Sequence, residues 1–123
     1  MTKPPQIIVA DDDRSVRMVI VHALSKQGYQ VMAASTIASM WDLLQAGTAE
    51  LLVTDIGFPD GDALELLPRI QDKYPDMTII MMSARANLLT AIKTQQNEVF
   101  DYLPKPFELK ALLATVERAL TVG

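Results

Sequence analysis

Apolar residues follow two rhythms along this chain. Short unbroken runs stand at Ile7-Ile8-Val9-Ala10, Leu51-Leu52-Val53 and Ile79-Ile80-Met81-Met82, with a weaker one at Gln30-Val31-Met32-Ala33-Ala34. They do not alternate with polar residues, so each predicts a strand buried on both faces, as in a parallel sheet between two layers of helices. Asp101-Tyr102-Leu103 is the fifth strand candidate.

Between the runs the apolar spacing changes to 3.6 residues. Val16, Ile20, Ala23 and Leu24 share one helix face, with Gly28 as the stop. Ile37, Met40, Trp41 and Leu44 form a second stripe, with Ser35 or Thr36 as N-cap and Gly47 as terminator. Leu64, Leu67, Ile70 and Tyr74 form a third, closed by Pro75; Pro68 inside it removes one backbone hydrogen bond. A fourth, over residues 88–97, is the poorest: Leu88, Ala91 and Ile92 are apolar, but Gln95, Gln96 and Asn97 follow, so a helix there is weakly held. Leu109, Leu112, Leu113, Val116 and Leu120 make a clear last helix. Five strand–helix units joined by short connections predict a doubly wound α/β fold.

Composition narrows the function. A chain of 123 residues, half of them apolar, suits one domain spanning 1–123 with a real core. With no cysteine, a disulfide scaffold, a thiolate metal site and a cysteine nucleophile are excluded. A net charge of −4 argues against binding nucleic acid by charge alone. The apolar runs fall far short of the roughly 20 residues that span a bilayer. Met1-Thr2-Lys3-Pro4-Pro5 lacks the apolar stretch of a signal peptide, so a cytoplasmic setting without membrane contact is expected. The chain stops soon after a helix, and reads either as a whole small protein or as a domain cut from a longer one.

The chemistry collects where strands end. The first strand runs into Asp11-Asp12-Asp13, the third ends at Thr54-Asp55, the fourth at Ser83, and the fifth runs into Pro104-Lys105-Pro106. In an open parallel sheet these ends share one edge, where such folds bind ligands. Carboxylates gathered there repel one another unless a cation joins them. Oxygen ligands of high charge, without His or Cys, select a hard divalent ion such as Mg²⁺. Lys105 suits a phosphate-type anion and Ser83 offers a donor, so the set fits phosphoryl chemistry. A carboxylate can itself accept a phosphoryl group, and Asp55, alone at the end of a central strand, is the best candidate. Each feature also has a plainer reading: the Asp run can cap a helix, Ser83 can sit in a turn, and Lys105-Pro106 can be an ordinary loop. Their conjunction at one edge favours chemistry. His22 falls on the polar side of its helix, and Trp41 and the methionines read as packing residues.

In this order and spacing, Asp11-Asp12, Asp55, Pro59, Ser83-Ala84 and Lys105-Pro106-Phe107 make the chain resemble the receiver domains of two-component response regulators along nearly its whole length. The run Phe100-Asp101-Tyr102-Leu103-Pro104-Lys105-Pro106-Phe107 is similar to the nitrogen-regulation subfamily, NtrC. The resemblance implies a flavodoxin-like receiver fold, with five helices around a five-stranded parallel sheet in the order 2-1-3-4-5. It implies Asp55 as phosphoryl acceptor, and Mg²⁺ held by Asp12, Asp55 and the Gly57 carbonyl, with Asp11 acting through a water. Lys105 would pair with the acidic site and then the phosphoryl group, Ser83 would bond a phosphoryl oxygen, and Tyr102 would follow Ser83. The Lys105–Pro106 peptide would be cis. The implied partners are a sensor histidine kinase and, through the surface of the fourth helix, fifth strand and last helix, a second copy or an output domain. The parent protein would be a transcriptional regulator, touching DNA only through its other domains.

Some positions depart from the family. Glu98-Val99 stand where Gly-Ala is usual, Phe58 replaces a common Met, and Gly61-Asp62-Ala63 alters an acidic-Gly turn. Two other readings remain: a stand-alone receiver acting by protein contact, and an aspartyl-phosphate phosphatase. The latter enzymes carry a second Asp two residues after the first, where this chain has Gly57, so a regulatory phosphoacceptor is expected rather than an enzyme.

Overall fold

Residues with no polar alternation need apolar cover on both sides, and the architecture supplies it. The structure, a computed structural model, describes residues 3–85 and 99–121. Strands β1 (Gln6–Ala10), β2 (Gln30–Ala34), β3 (Leu51–Asp55), β4 (Thr78–Ser83) and β5 (Asp101–Pro104) form one parallel sheet in the order β2-β1-β3-β4-β5. Helices α1 (Arg14–Lys26), α2 (Ile37–Gln45), α3 (Ala63–Lys73) and a C-terminal helix (Leu109–Thr121) cover it. The weak helix expected over 88–97, and Glu98, lie outside the described residues.

Successive strand residues point to opposite faces. Ile8, Leu52, Ile79 and Met81 therefore pack with Met40, Leu44, Leu67 and Ile70 of α2 and α3. Ile7, Leu51, Val53, Ile80 and Met82 pack on the other face with Ile20 and Leu24 of α1 and with Leu112 and Val116 of the C-terminal helix. The weaker run at β2 behaves differently. It lies at the sheet edge, and Gln30 and Ala33 are exposed, so it is not covered on both faces.

Local signals set the helix ends. Asp13 caps α1, its carboxylate accepting the N–H groups of Ser15 and Val16. Thr36, of the two candidates, caps α2 in a reciprocal capping box with Ser39. Gly28 (φ 94°) follows α1 and Gly47 (φ 76°) follows α2 in the left-handed conformation that glycine adopts without a Cβ clash. Pro68 lies within α3 on its exposed side.

The loop from β3 to α3 is pinned at several points. Gly57–Phe58 pairs antiparallel with Gly61–Asp62, Asp62 caps α3 through Leu64 N–H, and Ala63 N–H reaches the Ile56 carbonyl at 2.7 Å. Asp60 crosses to another helix: its carboxylate accepts from Ile37 N–H at 2.8 Å and Ala38 N–H at 3.0 Å, the first turn of α2. These two bonds, first that from Ile37, hold the Asp60 carboxyl below the usual carboxylate range.

Two outcomes are expected. Leu24→Ala, in the closed core, should lower unfolding free energy by about 2–5 kcal/mol in urea denaturation, whereas Met18→Ala, 56% exposed on the same helix, should change it by no more than about 0.5 kcal/mol; similar losses for both would contradict this layering. The Asp60 contribution to stability should be present above the ordinary Asp range and lost as pH falls through its lowered value. Carbon-13 NMR of the Asp60 carboxyl should show a midpoint below that of a free aspartate, and a midpoint at or above it would contradict the clasp.

Candidate functional site

Adjacent strands put distant acids side by side. β1 and β3 are neighbours, with Ala10 opposite Thr54, so the next residues, Asp11 and Asp55, emerge together at the carboxyl edge of the sheet. Asp12 follows in the same loop, and carboxylate oxygens of Asp11, Asp12 and Asp55 lie within 4.8 Å of one another. Lys105, just past β5, reaches across: its Nζ stands 2.6 Å from Asp11 Oδ2 and 3.1 Å from Asp55 Oδ2. The Lys105–Pro106 peptide is cis.

The cluster is electrostatically incomplete. Three carboxylates against one ammonium leave a formal excess of two negative charges. Asp11 is fully buried, and that desolvation raises its carboxyl pKa, against the lowering effect of Lys105 and of the Asp13 N–H that it accepts at 2.9 Å. For Lys105, burial acts to lower the pKa, but the bonds to Asp11 and Asp55 outweigh it, and the ammonium is held above its ordinary value. Burying like charges together is costly unless a counter-charge joins them. A small divalent cation would supply the missing charge, and the donor set (carboxylate oxygens without sulfur or imidazole) is what Mg²⁺ prefers.

The run Asp11-Asp12-Asp13 thus divides its work: Asp11 is the buried partner of Lys105, Asp12 is an exposed member of the cluster, and Asp13 is the cap of α1. Gly57 and Ser83 line the same shallow pocket of about 170 Å³ as Asp55 and Lys105. Ser83, buried at the end of β4, accepts from Arg85 N–H at 3.0 Å, and its carbonyl accepts from Lys105 N–H at 2.8 Å. Tyr102 pairs with Met81, two positions back from the Ser83–Pro104 pair, and is partly buried among the residues on the α2/α3 face. Burial, and then the charge of Asp101, raise its phenol pKa.

Further residues shape the site without having been anticipated. Arg17 Nη1 donates to the Asp11 carbonyl at 2.8 Å, and Thr54 Oγ1 donates to the Asp55 carbonyl at 2.7 Å. Arg85 lines the pocket, and Asp60 clasps the loop that carries Gly57. The position of Arg17 one turn into α1 and of Arg85 two residues past Ser83 were the available signals. The Asp60 contact, spanning more than twenty residues, left none.

Comparison with known proteins agrees with this geometry. Residues 7–117 match the model of the response regulator receiver domain family. The chain is 46% identical to the DNA-binding transcriptional regulator NtrC of Rhizobium meliloti and 45% identical to that of Azospirillum brasilense, in each case over 93% of this chain and 24% of the relative. It therefore spans about a quarter of the length of these curated relatives. Among solved structures, the non-phosphorylated HemR receiver domain from Leptospira biflexa superposes with a TM-score of 0.86 at 28% identity, covering 94% of both chains. From its residues, its sheet order and these matches, the chain belongs to the response regulator receiver domain family, within the NtrC subfamily.

Proposed function

We propose that this domain is a phosphorylation-operated signalling switch in which Asp55 accepts a phosphoryl group from the phosphohistidine of a sensor histidine kinase. The observation that carries the reading is the placement of Lys105 between Asp11 and Asp55, within a carboxylate cluster that carries excess negative charge. Asp11, Asp12, Asp55 and the Gly57 carbonyl would hold Mg²⁺. When bound, the ion neutralises charge on the donor oxygens and on the acceptor.

The chain's own groups do the rest. An Asp55 carboxylate oxygen attacks phosphorus, the phosphorus–nitrogen bond to the donor histidine breaks, and its electron pair stays on the imidazole. The Ile56 N–H, 2.7 Å from Asp55 Oδ1, and the Lys105 ammonium orient the carboxylate. Lys105 then turns to the new phosphoryl oxygens, and the Ser83 hydroxyl donates to one of them. Lys105 N–H is bonded to the Ser83 carbonyl, so movement at Ser83 reaches the β5 end and Tyr102. Output would pass through β5, the C-terminal helix and residues 88–97, by self-association or contact with an output domain. The names of the relatives suggest transcriptional control, in nitrogen metabolism, by a longer parent protein whose other domains touch DNA. A phosphatase-type enzyme is disfavoured because Gly57 supplies no second carboxylate.

Incubation with acetyl phosphate and Mg²⁺ tests this. Wild type should gain the mass of one phosphoryl group and Asp55→Asn none, while Lys105→Ala should be modified about a hundredfold more slowly. Equal gain by wild type and Asp55→Asn, or an unchanged rate in Lys105→Ala, would contradict the assignment.

A further inference from the structure

Asp60 touches none of the groups assigned to the chemistry, yet it bridges two parts of the molecule. It stands three residues after Gly57, and the segment between them is short: Phe58 pairs with Gly61, and Pro59 restricts its own backbone. Its carboxylate takes both Ile37 N–H and Ala38 N–H, groups that an α-helix leaves without internal partners. α2 already has its own cap in Thr36, which serves Ser39 N–H, so the helix does not depend on Asp60 for its start. What Asp60 adds is attachment of the loop. Gly57 is exposed, and a Cβ built on it would meet nothing within 4 Å, so no side-chain packing holds it; its place is set by the loop, through its pairing with Asp62 and the loop's own attachments. The neighbouring Gly61, at φ 155° and 3.6 Å by its would-be Cβ from the Ile37 side chain, brings the loop against α2 at the same point.

We propose that Asp60 is a positioning residue for the metal site: by fastening the β3–α3 loop to the N-terminus of α2, it holds the Gly57 carbonyl in place toward the cation. This rests on the reading that the Asp11–Asp12–Asp55 cluster takes Mg²⁺ with Gly57 as a backbone ligand. Phe58, Pro59 and Asp60 transmit the constraint, and a carbonyl held in advance spares the cation the ordering of a loose loop.

The test compares Asp60→Ala and Thr36→Ala with wild type, by following amide shifts during titration with Mg²⁺ alone and recording thermal unfolding of each variant. Thr36→Ala removes a cap from the same helix without releasing the loop, so it separates loop attachment from helix stability. Groups that orient metal ligands typically change affinity by about tenfold or more when removed, and Asp60, three residues removed from the ligand, should weaken Mg²⁺ binding by roughly three- to tenfold. Thr36→Ala should lower thermal stability and leave Mg²⁺ affinity as in wild type. Unchanged affinity in Asp60→Ala, or equal weakening in both variants, would overturn the inference while leaving the Mg²⁺ reading intact. Absence of Mg²⁺ binding by wild type would overturn the reading and the inference together.

Discussion

Like charges at the end of the sheet are the constraint on which the rest depends. Asp11, Asp12 and Asp55 sit close enough to share one ion, and one lysine does not balance them. A fully buried carboxylate costs free energy unless it is paired. Asp11 has that pairing in Lys105 and in the Asp13 N–H. The two apolar layers carry the cost of this arrangement, because they hold β1 beside β3 and so fix the distance between acids 44 residues apart in sequence. The site carries an excess of negative charge that a divalent cation would offset.

This view separates scaffold from reagent. The carboxyl edge carries the polar groups, and the loops leaving it are tied down by local contacts, Asp13 on α1, Arg17 on the Asp11 carbonyl and Asp62 on α3, and by one distant in sequence, Asp60 on α2. None of these residues needs to meet a ligand. They lower the freedom of peptides that do, which matters for a site assembled from the ends of four strands.

Much of the fold was legible in the chain because its strands are covered on both sides. Ile7-Ile8-Val9-Ala10 or Ile79-Ile80-Met81-Met82 can hardly be placed elsewhere. β2 was harder to read, since an edge strand has a mixed face, and Gln30 and Ala33 are exposed there. Over the described residues the helical stripes also matched, except at Leu109, which begins the C-terminal helix but remains exposed. At the site, acids following strands were visible from position alone. Their division of labour was not: nothing in three consecutive aspartates distinguishes the buried ion-pair partner from the helix cap, because that depends on which way each side chain leaves the turn. Contacts such as Asp60 to α2 are invisible for another reason. They join a loop to a helix start more than twenty residues earlier, and no periodicity records them.

The central claim is that the excess negative charge around Asp55 is the seat of a divalent cation. Titrating the isotopically labelled domain with Mn²⁺ at substoichiometric amounts tests it directly, since the paramagnetic ion broadens NMR signals only near where it binds. The account predicts that amide signals of residues 11–13 and 55–57 broaden first, and that added Mg²⁺ restores them. Broadening centred elsewhere, at Asp76 or Glu50 for instance, or spread evenly over the acidic surface, would contradict it.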